Sequence, residues 1–367
     1  ALILCGVLLL NPQAVQGGEV SCPLIIDSET LPEELRPGLH RILDVYTQRV
    51  RLVKGGYVDL RQPKTQPSDT CAPELEADNK AAREDLQGLP SGAEEFEKLW
   101  LVPLRFEPGN ERNRPARWVT GHHDAETFVI SYPAGSIVDA FYGLGLVISE
   151  MFTAREDANT DISVPVCRPL EDFNHESELT MVGMMLDLSR GKVMKVEILE
   201  RLSMISALTG FSHILLYMED TFEMEGHPMF GYKRGRYTRA ELQRADETAS
   251  LWGIELIGHI QSLGHMEQIL QWPQYGPLRD SRFRAKMDDA ATLALLDRMI
   301  STVSSSLRSR RIHIGLDEPF GVDRTSGHMA GGGASAELAA ERQAAVRRHL
   351  HHVVQLCRKH GLRPMAY

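Results

Sequence analysis

Near the end of the chain, Arg311 to Glu318 read Arg-Ile-His-Ile-Gly-Leu-Asp-Glu, an alternation of Ile312, Ile314 and Leu316 that closes on two adjacent carboxylates. That period marks a short buried strand, and Pro319 and Gly321 mark the loop that follows it. Strand ends are where parallel α/β folds keep their chemistry. Two neighbouring carboxylates repel each other, so near neutral pH one tends to hold a proton while the other stays ionised. An acid beside a fixed negative charge suits the cleavage of a glycosidic bond. Successive strand residues face opposite sides, so Asp317 and Glu318 share a pocket only where the chain is already turning. Most Asp-Glu dipeptides are solvated surface pairs; the apolar strand and the preceding His313-Ile-Gly315 set this one apart.

The elements that must position the pair follow a repeating rhythm. Met181 to Leu186, Ile214 to Tyr217, Ile254 to Ile257 and the Asp-Glu segment read as strands, and Pro364 to Tyr367 begins a fifth. Between them, Lys195 to Leu208 reads as a helix with Ile198, Leu202 and Ile205 on one face. Thr238-x-x-Glu241 is a capping box for a helix that buries Leu242, Ala245, Ala249 and Trp252. Asp288 to Leu307 turns Leu293, Leu296, Ile300 and Val303 inward, and Ser335 to His360 is the last helix. Strands alternating with helices imply right-handed βαβ units and a parallel sheet, either a barrel or an open doubly wound sheet. No Gly-rich phosphate loop follows the first strand.

The first half is less regular. Residues 1–10 are an apolar run, followed by the small-residue stretch Ala14 to Gly18, and residues 1–18 read as the tail of a clipped export signal. An apolar N-terminal helix or anchor is the alternative, although the run is too short to span a membrane. Residues 22–170 form a separate domain with a polar linker near 62–93. Glu126 to Tyr132 reads as a strand, and Ile137 to Leu146 runs into helical Val147 to Arg155. With 50 acidic against 40 basic residues and no basic patch interleaved with aromatics, the chain is not built for nucleic acid. The five cysteines make no Cys-x-x-Cys pair; Cys22, Cys71 and Cys167 could supply a disulfide after export, and Cys357 reads as a buried apolar residue. His122, His123, His349, His351 and His352 lack the carboxylate and spacing of a metal site and read as surface or capping residues. No metal or other cofactor is expected.

Four segments in order carry a resemblance. His313-Ile-Gly-Leu-Asp-Glu318 resembles the His-x-Gly-x-Asp-Glu signature of family 20 glycoside hydrolases, the β-N-acetylhexosaminidases. Met218-Glu-Asp-Thr-Phe222, Gly231-Tyr-Lys-Arg-Gly-Arg-Tyr237 and Ile260-Gln-Ser-Leu-Gly-His-Met-Glu-Gln268 resemble the branch that includes bacterial N-acetylglucosaminidases and hexosaminidase D. Ala140 to Leu144 resembles the segment closing the small noncatalytic domain before the barrel. The resemblance implies an α/β fold: a (β/α)8 TIM barrel over 178–367, ending after about its fifth strand, preceded by a small α+β domain. Three βα units would then be missing from a fold of about 250 residues.

It also implies substrate-assisted, retaining release of terminal N-acetylglucosamine or N-acetylgalactosamine from glycans or oligosaccharides through an oxazolinium intermediate. Glu318 would be the general acid, and Asp317 would orient the acetamido group and stabilise positive charge. Arg190 would grip sugar hydroxyls, Asp220 and His265 would stand behind the acid, and Tyr367 takes the place of a usual Trp. Asp187, Glu219 and Glu267 are further polar residues near strand ends. A noncatalytic sugar-binding relative and a lacto-N-biose-releasing hydrolase are the competing functions. The natural linkage and the oligomeric state are not written in these motifs. An exported protein, as opposed to a cytoplasmic one, would show a mature N-terminus near Gly17 by mass spectrometry, whereas an intact Ala1 region in a cytosolic extract would refute export.

Overall fold

The structure is a computed structural model, and it describes residues 31–47, 104–109, 116–125, 127–156, 163–167, 170–317 and 336–367. Glu318, Pro319, Gly321, the export-signal segment, the 62–93 linker, Cys22 and Cys71 lie outside the described residues, as does the side chain of Cys167. Two compact units divide the chain, one of residues 1–182, 204–211 and 251–253, the other of 183–203, 212–250 and 254–367.

In the first unit, helix α1 (Arg36–Thr47) precedes strands β1 (Leu104–Gly109), β2 (Arg117–Asp124) and β3 (Thr127–Pro133), then helix α2 (Ile137–Met151) and strands β4 (Phe152–Glu156), β5 (Ser163–Cys167) and β6 (Phe173–Ser177). The sheet runs β1-β3-β2-β6, with β1 parallel to β3 and the other pairs antiparallel, and β4 pairs with β5 in a separate ribbon. Helix α2 ends at Met151 and the chain turns straight into β4, so the helix expected to Arg155 stops four residues early. Thr153 and the ladder that follows explain the change, because β-branched residues fit a paired strand better than a helix end. Two glycines, costly in a helix, are required by its neighbours. A Cβ at Gly143 would lie 2.4 Å from Ile130, and one at Gly145 would lie 1.8 Å from the Leu208 carbonyl oxygen. Buried Arg117 is paired with Asp139 at 2.6 Å and donates to the Gly210 carbonyl, so its charge is neutralised within the unit.

In the second unit, apart from residues 204–208 of α3 and residue 251 of α4, which are counted in the first, β7 (Gly183–Asp187), α3 (Val196–Leu208), β8 (His213–Tyr217), α4 (Arg239–Leu251), β9 (Glu255–His259), the short α5 (Glu267–Leu270), α6 (Ala290–Ser306), β10 (Arg311–His313), α7 (Ala336–Lys359) and β11 (Arg363–Met365) alternate. All four strand pairs are parallel, and the spatial order β7-β8-β9-β10-β11 is the chain order. A doubly wound sheet would reverse direction at an inner strand; this one never does. The described strands are therefore singly wound, the winding a TIM-type barrel uses.

Alternation sorts each strand into two faces. Ile214, Leu216, Leu256 and Ile312 are buried on one, where Gly258 lets Val303 of α6 come within 2.4 Å of where its Cβ would stand. Tyr217, His259 and His313 share a register on the other. The capping box of α4 is formed: the Glu241 carboxylate accepts from the Thr238 N–H and hydroxyl, and Thr238 Oγ1 accepts from the Glu241 N–H.

Two helix faces differ from the expectation. In α3 the buried side is Val196, Leu199, Glu200, Ser203, Met204 and Ala207, while Ile198 is exposed. Arg244 pairs with Glu200 at 2.8 Å, so a salt bridge lets a carboxylate sit on the buried side. In α6, Leu295 and Met299 are buried and Leu293 only partly so. His349 is wholly buried and hydrogen-bonded to the Ser262 carbonyl, which corrects its reading as a surface residue. Cys357 is buried and free as expected, with burial pushing its thiol up to about 12. No helix among the described residues is long and apolar enough to cross a membrane.

Gly145→Ala sets two effects against each other. Helix propensity favours alanine by about 1 kcal/mol, but the methyl would overlap backbone that has nowhere to go. Urea unfolding is expected to show a net loss of roughly 1–3 kcal/mol, and unchanged or increased stability would contradict the packing.

Candidate active site

The carboxyl ends of β7 to β10 bring one set of polar side chains together. Strand β10 stops at His313, and the chain turns through Gly315 (φ +73°) and Leu316 (φ +81°) before it reaches Asp317. The turn that the carboxylate pair needs therefore lies before the pair, three to four residues ahead of Pro319. Gly315 is demanded twice. Its φ is in the left-handed region, and a Cβ there would lie 2.0 Å from Oε1 of Gln261. The glycine of the His-x-Gly-x-Asp motif is the space that Gln261 fills.

Asp317 is held through both oxygens. Gln261 Nε2 donates to Oδ1 at 2.7 Å, and Oδ2 lies 3.3 Å from His265 Nε2. The same Gln261 amide donates to Tyr217 Oη at 2.9 Å. His265, from the loop after β9, thus stands against Asp317, and its φ of +50° is a conformation that non-glycine residues adopt only when their surroundings hold them there.

Asp220 is placed differently. It is wholly buried, with Oδ1 taking Arg234 Nε at 3.0 Å and Oδ2 unpartnered. Burial pushes its carboxyl up, against the pull of Arg234. Arg234 also donates to the Ser189 carbonyl at 2.6 Å and stands 3.7 Å from Glu219, tying the loop after β8 to the loop after β7.

Arg190 sits on that β7 loop. Its Nη1 donates to Asp187 Oδ2 at 2.6 Å, and its guanidinium lies 5.4 Å from the centre of the Tyr217 ring. Asp187 Oδ1 accepts from Ser189 as well; despite partial burial, these bonds hold its carboxyl below the usual range. The Asp187 bond likewise raises the Arg190 guanidinium. The Arg190 side chain is largely exposed. Tyr367 is exposed too, its hydroxyl on Met185 Sδ at 3.1 Å and its ring 4.6 Å from His313.

Beneath these groups the His259 and His313 rings lie 3.9 Å apart with their planes tilted by 41°, and Tyr217 is 4.5 Å from His259. Burial, then the neighbouring His313, drives His259 down to about 3, so its ring is neutral; burial lowers His313 as well.

Glu219 is the least ordinary carboxyl. It is buried at a φ of +53°, and burial and the nearby Glu267 push it up to about 7, against a hydrogen bond from Tyr217 and the attraction of Arg234. Gln261, Tyr217 and Arg234 were not singled out from sequence. Gln261 and Arg234 lie inside the resembling segments, where a polar residue three places before Gly-His or between two glycines is the available signal, whereas Tyr217 carries none. Among the described residues no three His, Cys, Asp or Glu side chains gather as a metal site.

No family model matches the chain. Over 139 residues it is 30% identical to Hexosaminidase D of Homo sapiens, across 37% of this chain and 28% of that protein. It is 31% identical to Hexosaminidase D of Bos taurus, across 37% of this chain and 40% of that protein. The chain thus matches well under half the length of these curated relatives. A chitobiase from Flavobacterium johnsoniae superposes with a TM-score of 0.58 at 16% identity, over 98% of this chain and 52% of the other. The family 20 β-N-acetylhexosaminidase of Streptomyces coelicolor A3(2) gives 0.54 at 17%, over 72% and 54%. The family 20 exo-β-N-acetylglucosaminidase of Vibrio harveyi, in complex with N-acetylglucosamine, gives 0.52 at 15%, over 72% and 45%. At these identities the likeness is one of fold, and the α/β, TIM-barrel-like fold is the one this chain shares with them.

Glu219 links the site to stability. Its value in the folded protein, about 7, lies above the ordinary 4.5, so the folded state binds the extra proton and stability falls as pH rises through that window. Glu219→Gln is expected to match the parent protein near pH ~5 and to exceed it near pH ~8 by on the order of 2 kcal/mol in urea unfolding. The same difference at both pH values would refute it.

Proposed function

We propose that the protein is a retaining exo-β-N-acetylhexosaminidase that works by substrate assistance. The observation that carries this reading is Asp317, placed by a left-handed turn at the carboxyl end of a parallel strand and held through both oxygens. The Hexosaminidase D similarity and the fold shared with family 20 enzymes support it.

In this reading Asp317 accepts the acetamido N–H and steers the carbonyl oxygen onto the anomeric carbon. The C–O bond to the leaving group breaks as the new C–O bond forms, and Glu318 gives its proton to the departing oxygen. An oxazolinium results, its positive charge facing the Asp317 carboxylate. Water then gives a proton back to Glu318 and opens the ring, so the configuration is retained. Arg190, exposed and held by Asp187 over Tyr217, binds hydroxyls of the terminal sugar through the donors it does not spend on Asp187.

The test is hydrolysis by the full-length protein of an aryl N-acetyl-β-glucosaminide beside the matching aryl β-glucoside. Only the acetamido sugar is expected to be cleaved, with inhibition by a thiazoline analogue of the cyclised intermediate. Glu318→Gln should lose turnover chiefly on poor leaving groups, and Asp317→Asn on all substrates, by roughly 10²–10⁴-fold. No cleavage by folded protein, or unimpaired rates in both variants, overturns the proposal.

A further inference from the structure

We infer that Gln261, oriented by the Tyr217 hydroxyl, is a positioning residue that fixes the Asp317 carboxylate and couples it to the Arg190 side of the site. The inference deepens the hydrolase reading and rests on it for its kinetic consequences.

A primary amide offers two N–H donors at a fixed angle and one acceptor oxygen. Gln261 is wholly buried and spends one donor on Tyr217 Oη at 2.9 Å and the other on Asp317 Oδ1 at 2.7 Å. Tyr217 Oη is the acceptor of the first of these bonds. Both bonds run outward from the amide nitrogen, one N–H to the hydroxyl and the other to Asp317. A flipped amide would set Oε1 against Asp317 Oδ1, two acceptors facing each other, and the bond to Asp317 would be lost. The amide thus offers Asp317 only donors, which suits a carboxylate and does not suit a carboxylic acid that must give its proton away. With His265 Nε2 at 3.3 Å on Oδ2, the carboxylate is fixed at both ends. The division of labour between Asp317 and its neighbour is set by this arrangement, with Asp317 the charge and Glu318 the proton donor.

Tyr217 makes the coupling. Its ring lies 5.4 Å beneath the Arg190 guanidinium while its hydroxyl anchors Gln261. One buried pair thereby joins the ends of β7, β8, β9 and β10. The space for Gln261 exists because residue 315 has no side chain.

Three variants of the full-length protein test this: Gln261→Leu, Gln261→Glu and Tyr217→Phe, each assayed for kcat and KM on aryl N-acetyl-β-glucosaminides across pH, with unfolding midpoints to confirm folding. Gln261→Leu fills the space without a donor and is expected to lower kcat about 10- to 100-fold at every pH, with a smaller change in KM. Tyr217→Phe keeps the platform under Arg190 and should lose less. Gln261→Glu is the discriminating variant. When protonated it can donate to Asp317 and recover turnover; when ionised it sets two carboxylates together. Its kcat should therefore fall progressively below the parent's as pH rises, a profile that a merely space-filling role would not produce.

Gln261→Leu and Gln261→Glu within about twofold of the parent at every pH overturn the inference, as does a Gln261→Glu profile of the parent's shape. A crystal structure of Gln261→Leu is the readout free of activity: a rotated Asp317 carboxylate supports the clamp, and an unmoved one overturns it. If the parent cleaves no acetamido sugar, the hydrolase reading falls, and the crystal structure still decides the clamp.

Discussion

The polar end of the parallel sheet depends on one missing side chain. Gly315 turns the chain out of β10 with a positive φ and leaves the volume into which the Gln261 amide reaches. Any larger residue would collide with that amide within the core, and the core cannot yield because its neighbours are close-packed rings, Tyr217, His259 and His313. From this contact the rest follows outward: Gln261 holds Asp317, Tyr217 holds Gln261, and Arg190 rests over Tyr217.

The two ends of the strands are built differently. At the amino end of β9 and β10, Glu255 accepts from Ser309 at 2.6 Å and from Arg311 at 2.8 Å and lies 3.1 Å from His213. These bonds, that of His213 foremost, hold its carboxyl below the usual range, and the cluster leaves little unsatisfied. At the carboxyl ends, Oδ2 of Asp220, Oε1 of Gln261, Oε2 of Glu267 and both ring nitrogens of His259 lack partners in the described protein. Glu219, His265 and Leu316 also take left-handed backbone there. Unsatisfied buried groups and strained dihedrals cost stability, and proteins retain them where function sets the geometry. The amino end reads as structural and the carboxyl end as functional, the division that barrels of this winding observe.

Glu219 and Asp220 illustrate why electrostatics at this end could not be read off residue types. Both are acidic, adjacent and buried, yet Asp220 takes a direct bond from Arg234 at 3.0 Å while Glu219 stands 3.7 Å from that guanidinium and faces Glu267. Burial pushes both carboxyls up, and a direct bond offsets more of that desolvation than a charge farther off. The difference comes from where one loop arginine, fourteen residues away, is carried by the turn between Gly231 and Gly235.

By itself the sequence determined the alternation of strands and helices in the second half, the capping box at Thr238 and Glu241, the burial of Cys357, and the strand that leads to Asp317. Each of these rests on local chemistry or on a period of two or about 3.6 residues, which neighbours in the chain report directly. The tertiary structure alone decided the singly wound strand order, the polar buried face of α3, the burial of His349, and the partners of each site residue. His265 meets Asp317, Asp220 meets Arg234, and Gln261 bridges Tyr217 and Asp317 across 44 and 56 residues of chain. Such contacts are chosen by which strand ends the sheet sets side by side and by which side chain fits the volume left there, and no local pattern records either.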